Sequence, residues 1–286
     1  MSFIQLFVLA VVQGFCELLP VSSSAHVILV EKLMGLDPTA PSMTLLLVML
    51  HTGTMFAVIV YFWTEWKSTY FSSVHAFRRS AGTIVVATAA TGLVGLGLLR
   101  LLPGLLGANR ETFEVEQLFG RPDLIAAGLG AAGLMILTSG LLTRARSGQA
   151  GVSAISALLV GAVQGLCLPF RGFSRSGSTI SAGLFLGIAK QKAEQFSFAL
   201  AVVLTPAVIV KELLRLAKAD AAGGLEPTSF LQLAWPSLVG MTLSFLAGLL
   251  ALRWLSRWLE HGRWHFFGIY CLVASIVVLN LPSLTR

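Results

Sequence analysis

Six stretches of this chain each hold about twenty nearly unbroken apolar residues, at roughly 42–64, 81–102, 123–143, 196–217, 232–253 and 264–282. About twenty apolar residues are what a helix needs to cross the hydrocarbon core of a bilayer. Only 12% of the 286 residues are charged, against about 25% in a soluble domain, and mean hydropathy is +0.83. These values exclude a soluble globular enzyme, a disordered chain and a nucleic-acid-binding module. The net charge of +7 reads as Lys and Arg gathered in cytoplasmic loops. Cys16, Cys167 and Cys271 lie in apolar stretches and suggest no disulfide framework. The N-terminal apolar stretch lacks a basic leader and runs past any cleavage site, so it is not read as a removable signal.

Two further apolar segments do not read as simple spans. The first, roughly 3–35, is broken by Pro20 and Ser22-Ser23-Ser24 and resumes near Ala25. The second, roughly 152–189, is broken by Pro169, Arg171-Gly172 and the run Ser174–Thr179, and resumes at Ile180. Each half is too short to cross. Irregular backbone at membrane depth is tolerated only inside protein or beside a wet cavity. Both segments are therefore expected to be re-entrant helix–loop–helix hairpins. They are also related in sequence: Gln13, Gly14 and Cys16 align with Gln164, Gly165 and Cys167 at a common offset of 164 − 13 = 151. The same offset carries the span starting near 81 onto that starting near 232.

The expected fold is thus an all-α polytopic membrane protein forming one membrane domain over 1–286. It has six transmembrane helices and two re-entrant hairpins, arranged as inverted repeats over 1–143 and 152–286. Broken helices at the centre of inverted repeats point to an intramembrane site. The segment at roughly 103–122, with Glu111, Glu114 and Glu116, reads as a loop. One side of the membrane collects ten basic loop residues, among them Arg78, Arg79, Arg144, Arg146 and Arg257, with the acids Glu65, Glu194 and Glu260, against eight basic residues on the other. That side is taken as cytoplasmic, with both termini outside.

Glu17 reads as the one carboxylate well inside an apolar segment, with Gln13 four residues earlier on the same helix face. An ionisable group in the membrane is costly and marks function by default. Ser22, Ser23, Ser24 and His26 follow Pro20. A serine there can cap the next helix, and Ser23 with His26 can form an activated nucleophile. In the second break, Ser174-Arg175-Ser176-Gly177-Ser178-Thr179 places backbone N–H groups at a helix start, where the dipole favours an anion. Arg175 offers a fork for phosphate oxygens, or a structural partner for Glu17. In His51-Thr52-Gly53-Thr54, Gly53 is read as a close-packing position and His51 is left outside the site. Lys190 and Lys192 are read as solvated charges. Together the two hairpins suit an anionic lipid headgroup and phosphoryl transfer, with Mg²⁺ or Ca²⁺ on hard oxygen ligands.

The chain resembles the undecaprenyl-diphosphate phosphatase family, the bacitracin-resistance membrane phosphatases of bacteria. The resemblance rests on Gln13-x3-Glu17 followed by Pro20, Ser22, Ser23 and His26, and on Gly172-Phe173-Ser174-Arg175-Ser176-Gly177. His51-x-Gly53-Thr54 and Glu194-Gln195-Phe196-Ser197-Phe198 support it. It implies hydrolysis of undecaprenyl diphosphate to undecaprenyl phosphate and phosphate, recycling the carrier lipid of peptidoglycan synthesis. It also implies a divalent cation, location in the bacterial cytoplasmic membrane, and a site opening to the periplasm. By residue, Gln13 and Glu17 match the acidic, metal-holding motif, and Glu17, Ser23, His26 and Arg175 the catalytic set. Ser22, Ser174, Ser176, Gly177 and Thr179 match the substrate-binding positions. The expected partners are a polyprenyl diphosphate lipid and the bilayer, with no nucleic acid, and a homodimer is among the expectations. Arg171 replaces the motif's Pro, Gln13 stands where many members have Glu, and Leu45 occupies an often acidic position. The alternative from another class is a polyprenyl-phosphate transporter or flippase using the same anion site.

Overall fold

A computed structural model describes residues 1–36, 41–105, 121–143, 149–170, 172–221 and 227–280. Arg110, Glu111, Glu114, Glu116, Arg144, Arg146 and Arg171 lie outside the described residues. Among the described residues the structure is helical: α1 Phe3–Leu18, α2 Ser23–Leu33, α3 Pro41–Thr69, α4 Val74–Leu105, α5 Pro122–Thr143, α6 Ala154–Cys167, α7 Arg175–Phe185, α8 Lys190–Ala221, α9 Pro227–Glu260 and α10 His265–Asn280. An isolated bridge joins Ala150 to Ile188. Four helices contain windows long and apolar enough to cross a membrane: Leu45–Thr69 in α3, Val74–Gly104 in α4, Pro122–Thr143 in α5 and Trp235–Glu260 in α9. The other two expected stretches are also helical. They fall in α8, 32 residues with Pro206 inside, and in α10, 16 residues.

The broken segments fold as helix–turn–helix pairs. α1 has 16 residues and α6 has 14. At 1.5 Å per residue they rise about 24 and 21 Å, less than the roughly 30 Å hydrocarbon core. Each starts on a serine capping box: Ser2 accepts from the Gln5 N–H and Ser153 from the Ser156 N–H. The first turn carries a left-handed φ of 66° at Ser22, an unusual conformation for a non-glycine residue. The second break is shorter than the sequence suggests. Helix resumes at Arg175, not Ile180, because Ser174 caps it and accepts from the Gly177 N–H. Gly172 turns the chain there at φ 95°.

The chain divides into two compact units. The first comprises Met1–Leu19, Ser23–Trp63 and Ala201–Leu255, and the second Pro20–Ser22, Thr64–Leu200 and Ser256–Arg286. In the first, Leu6, Leu9 and Ala10 of α1 pack with Val27 of α2 and with Met43, Leu46 and Leu50 of α3. Gly14 lets α1 approach α9: a Cβ there would lie 2.6 Å from Ala247 Cβ and 2.8 Å from the Ser244 carbonyl. Gly53 does the same for α3, where an added Cβ would strike the Met241 carbonyl. Ser244 Oγ donates to the Leu50 carbonyl at 3.0 Å.

In the second unit α4 and α6 run parallel, Gly161 against Ala87 and Gly165 against Thr91. A Cβ on Gly165 would sit 2.8 Å from the Thr91 carbonyl. Thr91 Oγ1 reaches the Ala87 and Gly161 carbonyls at 2.9 Å each and accepts from Gln164 Nε2 at 3.1 Å. Small residues and buried hydroxyls of this kind bind helices where no hydrophobic force acts between them. Gly14 and Gly165, matched at the repeat offset, therefore serve the same packing role in the two units. α5 and α10 run antiparallel, with Ser275 Oγ donating to the Ala126 carbonyl at 2.6 Å. Trp264 Nε1 donates to Ser139 Oγ and Ser181 Oγ at 3.1 and 3.2 Å, and Ser139 Oγ donates to Ser181 Oγ at 2.9 Å.

Two carboxylates correct the sequence reading. Glu31 in α2 is buried, so Glu17 is not the sole carboxylate within the apolar structure. Glu194, counted among the loop charges, is buried near the start of α8, ahead of the apolar stretch, and accepts from Ser256 Oγ at 2.5 Å. Burial pushes its pKa up to about 8, against the lowering effect of the Ser256 hydroxyl, with Glu260 and Glu65 adding to the rise.

Two outcomes follow. Gly161→Ala should lower stability by about 1–3 kcal/mol through overpacking against the Ala87 backbone, read as an earlier thermal transition in detergent. The raised folded pKa of Glu194 means that its neutral form fits the fold. Its stabilising share is complete below the unfolded value of 4.5 and is lost as pH rises through about 8. Glu194→Gln should flatten the fall in thermal midpoint seen for wild type across that window; an unchanged pH profile would refute the assignment.

Candidate active site

In the first unit, Gln13 and Glu17 are one turn apart on α1 and share a face, as their spacing dictates. Gln13 is 1% exposed, and its Nε2 donates to Glu17 Oε2 at 3.3 Å. Ser23, the first residue of α2, donates its hydroxyl to the same Glu17 oxygen at 2.6 Å. This short bond fits a hydroxyl on an ionised acceptor. The turn between α1 and α2 thus folds a serine back onto the carboxylate that precedes it. His26 stands three residues along α2 and is partly buried.

A third element, absent from the sequence-derived site, also reaches Glu17. His51 Nε2 on α3 lies 3.7 Å from Glu17 Oε2. Its Nδ1 faces the Leu47 carbonyl at 2.8 Å; since a carbonyl only accepts, Nδ1 is the donor and Nε2 is the atom presented to the carboxylate. Gly53 is indeed a close-packing residue, and the contact it permits between α3 and α9 leaves His51 two residues earlier on α3. A histidine inside an apolar span was the available signal.

The second unit holds the other cluster. Ser174 is 4% exposed and caps α7. The first turn of α7 has no acidic residue, so the positive end of its dipole is not offset by a carboxylate of its own. Arg175 opens the helix, partly buried, while Ser176, Gly177 and Thr179 are buried behind it. Thr179 Oγ1 is engaged within the unit: it donates to the Arg175 carbonyl at 2.8 Å and lies 2.6 Å from Ser197 Oγ. Gly177 leaves room for a neighbour, since a Cβ would stand 3.1 Å from Pro20 Cβ. The turn Pro20–Ser22 belongs to this unit, and its Pro20 carbonyl accepts from Cys271 Sγ at 3.1 Å. Within this unit Pro20 therefore packs against the start of α7.

Among the described residues no group of three His, Cys, Asp or Glu side chains is arranged to hold a metal. What this cluster offers a divalent cation is one carboxylate and one amide, Glu17 and Gln13. Both are hard oxygen donors. Two protein ligands suffice where substrate phosphates and water complete the shell, as Mg²⁺ prefers, so the residues fit a cation brought together with a diphosphate.

Residues 6–277 match the family of the bacitracin resistance protein BacA. The chain is 60% identical to undecaprenyl-diphosphatase 2 of Acinetobacter baylyi over 282 residues, 98% of each chain. It is 34% identical to undecaprenyl-diphosphatase 1 of Burkholderia pseudomallei over 293 aligned positions, covering 98% of this chain and 97% of the relative. It is 31% identical to the undecaprenyl-diphosphatase of Rhodopirellula baltica over 97% of both chains.

Ser174→Ala removes the acceptor for the Gly177 N–H and should cost about 1 kcal/mol. Ser174→Asn should recover most of the loss of thermal midpoint. Equal midpoints for wild type and Ser174→Ala would show that the cap does not hold the start of α7.

Proposed function

Since the chain belongs to the BacA family of bacitracin resistance proteins, we propose that it is a membrane phosphatase that hydrolyses undecaprenyl diphosphate. The products are undecaprenyl phosphate and inorganic phosphate, and the reaction returns the carrier lipid to cell-wall synthesis. The observation that carries the chemistry is the Ser23 hydroxyl held 2.6 Å from Glu17 Oε2, an oxygen nucleophile already bonded to a proton acceptor.

In this reading Arg175 and the start of α7 hold the terminal phosphate, where charge on its equatorial oxygens must be offset. Ser23 Oγ forms a bond to the terminal phosphorus, and its proton passes to Glu17. The bond from phosphorus to the bridging oxygen breaks, and undecaprenyl phosphate leaves with that oxygen. Water then adds to the phosphoseryl phosphorus, restores the Ser23 hydroxyl and releases phosphate. His51 stands beside the carboxylate, its Nε2 3.7 Å from Oε2, and His26 would take the proton of the attacking water. Gln13 and Glu17 would hold a divalent cation whose charge neutralises the diphosphate. The six apolar stretches span the cytoplasmic membrane with two re-entrant hairpins, and the site opens on the face opposite the more basic loops.

A transporter would bind the same headgroup, but it has no use for a serine hydroxyl committed to a carboxylate. The test is phosphate release from undecaprenyl diphosphate by purified protein, with and without Mg²⁺ or Ca²⁺. Arg175→Ala should lower kcat about a hundredfold or more, the scale for losing one preorganised group facing developing charge. Ser23→Ala should be comparably slow. Ser23→Ala at near-wild-type rate removes the serine route. A wild-type protein that binds the lipid without releasing phosphate removes the phosphatase reading in favour of transport.

A further inference from the structure

The second unit contains an apolar cleft of about 400 Å³ that the headgroup chemistry does not use. Its walls are Val94 of α4, Met135 of α5, Ala162 and Leu166 of α6, and Ala182 and Phe185 of α7. The volume is within the usual range of a ligand pocket, and among the described residues no charged side chain lines it. It opens outward, with Leu166 and Phe185 39% and 46% exposed.

We propose that this cleft binds the first isoprene units of the substrate's polyprenyl tail. The inference rests on the phosphatase reading and names the part of the lipid that reading leaves unplaced. Its basis is continuity along one helix. α7 begins at Arg175, on the capped and acid-free turn suited to an anion, and its other half, at Ala182 and Phe185, forms a wall of the cleft. Seven residues separate Arg175 from Ala182, about 10 Å of helix. One short helix therefore offers an anion site at its start and an apolar wall further along, which is the order of groups in an amphiphile with an anionic head and a hydrocarbon tail. A bulk lipid chain shares the apolar chemistry but has no reason to start at Arg175. Ala162 is a small, partly exposed residue of the cleft wall.

The test compares kcat/KM for undecaprenyl diphosphate with that for dimethylallyl diphosphate, which carries a single isoprene unit. Ala162→Phe fills the cleft from its wall. It should lower the long-to-short ratio of kcat/KM about tenfold, chiefly through KM, the scale of losing a few buried methylenes. Leu166→Ala, which leaves the fold less crowded, should shift the same ratio if Ala162→Phe proves unstable. Leu134→Phe, on an exposed face of α5 outside the cleft, should leave the ratio unchanged. An unchanged ratio in both cleft variants overturns the proposal. If the wild type releases phosphate from neither substrate, the phosphatase reading fails, and photolabelling with a diazirine-tailed polyprenyl phosphate decides the cleft separately. Label on the cleft residues of α4–α7 supports it, and label confined to residues outside the cleft overturns it.

Discussion

Close helix approach at glycine underlies everything else in this molecule. In hydrocarbon no hydrophobic force draws one helix to another, so association depends on backbone proximity and on buried hydroxyls that bridge it. Gly14 and Gly53 provide that proximity around α9, and Gly161 and Gly165 provide it along α4. α1 is one of the two short helices that these glycines seat. Its position is set by these contacts. Glu17 follows Gly14 by less than one turn of α1, so the contact that seats the glycine also fixes where the carboxylate stands.

Buried polar side chains are then collected at turns. Helices supply rigid positions, but the polar clusters lie where α1 gives way to α2 and where α7 begins. The first turn bends Ser23 back to Glu17, and the second presents an acid-free helix start at Arg175. The acid and its hydroxyl neighbour come from residues six apart in sequence. The acid-free helix start comes from a segment about 150 residues later, related to the first at Gln164 and Gly165.

The sequence made some of this plain. Gln13 and Glu17 at i and i+4 could be placed on one face without coordinates, and the apolar stretches located the long helices. The missed features have specific physical causes. Ser23 reaching Glu17 depends on a left-handed φ at Ser22, which no residue type announces when glycine is not used. His51 approaches from another helix, and contact across distant segments leaves no local pattern. The run Ser174–Thr179 resembles a loop because serine and glycine are poor helix formers, yet a cap and burial make it helical from Arg175. Glu194 resembles a loop charge because it borders an apolar stretch, while Ser256, 62 residues away, is what receives it in the interior.

The indole N–H of Trp264 faces two serine hydroxyls, Ser139 and Ser181, at nearly equal distances, and these hydroxyls also bond each other. A buried donor needs one acceptor and here has a spare. Either serine can drift to alanine while the other still satisfies the tryptophan, but the loss of both strands a polar group in the interior. The two positions, 42 residues apart, therefore form an epistatic pair: each is open to neutral change only while its partner is kept, so the order in which substitutions arrive decides which lineages remain folded.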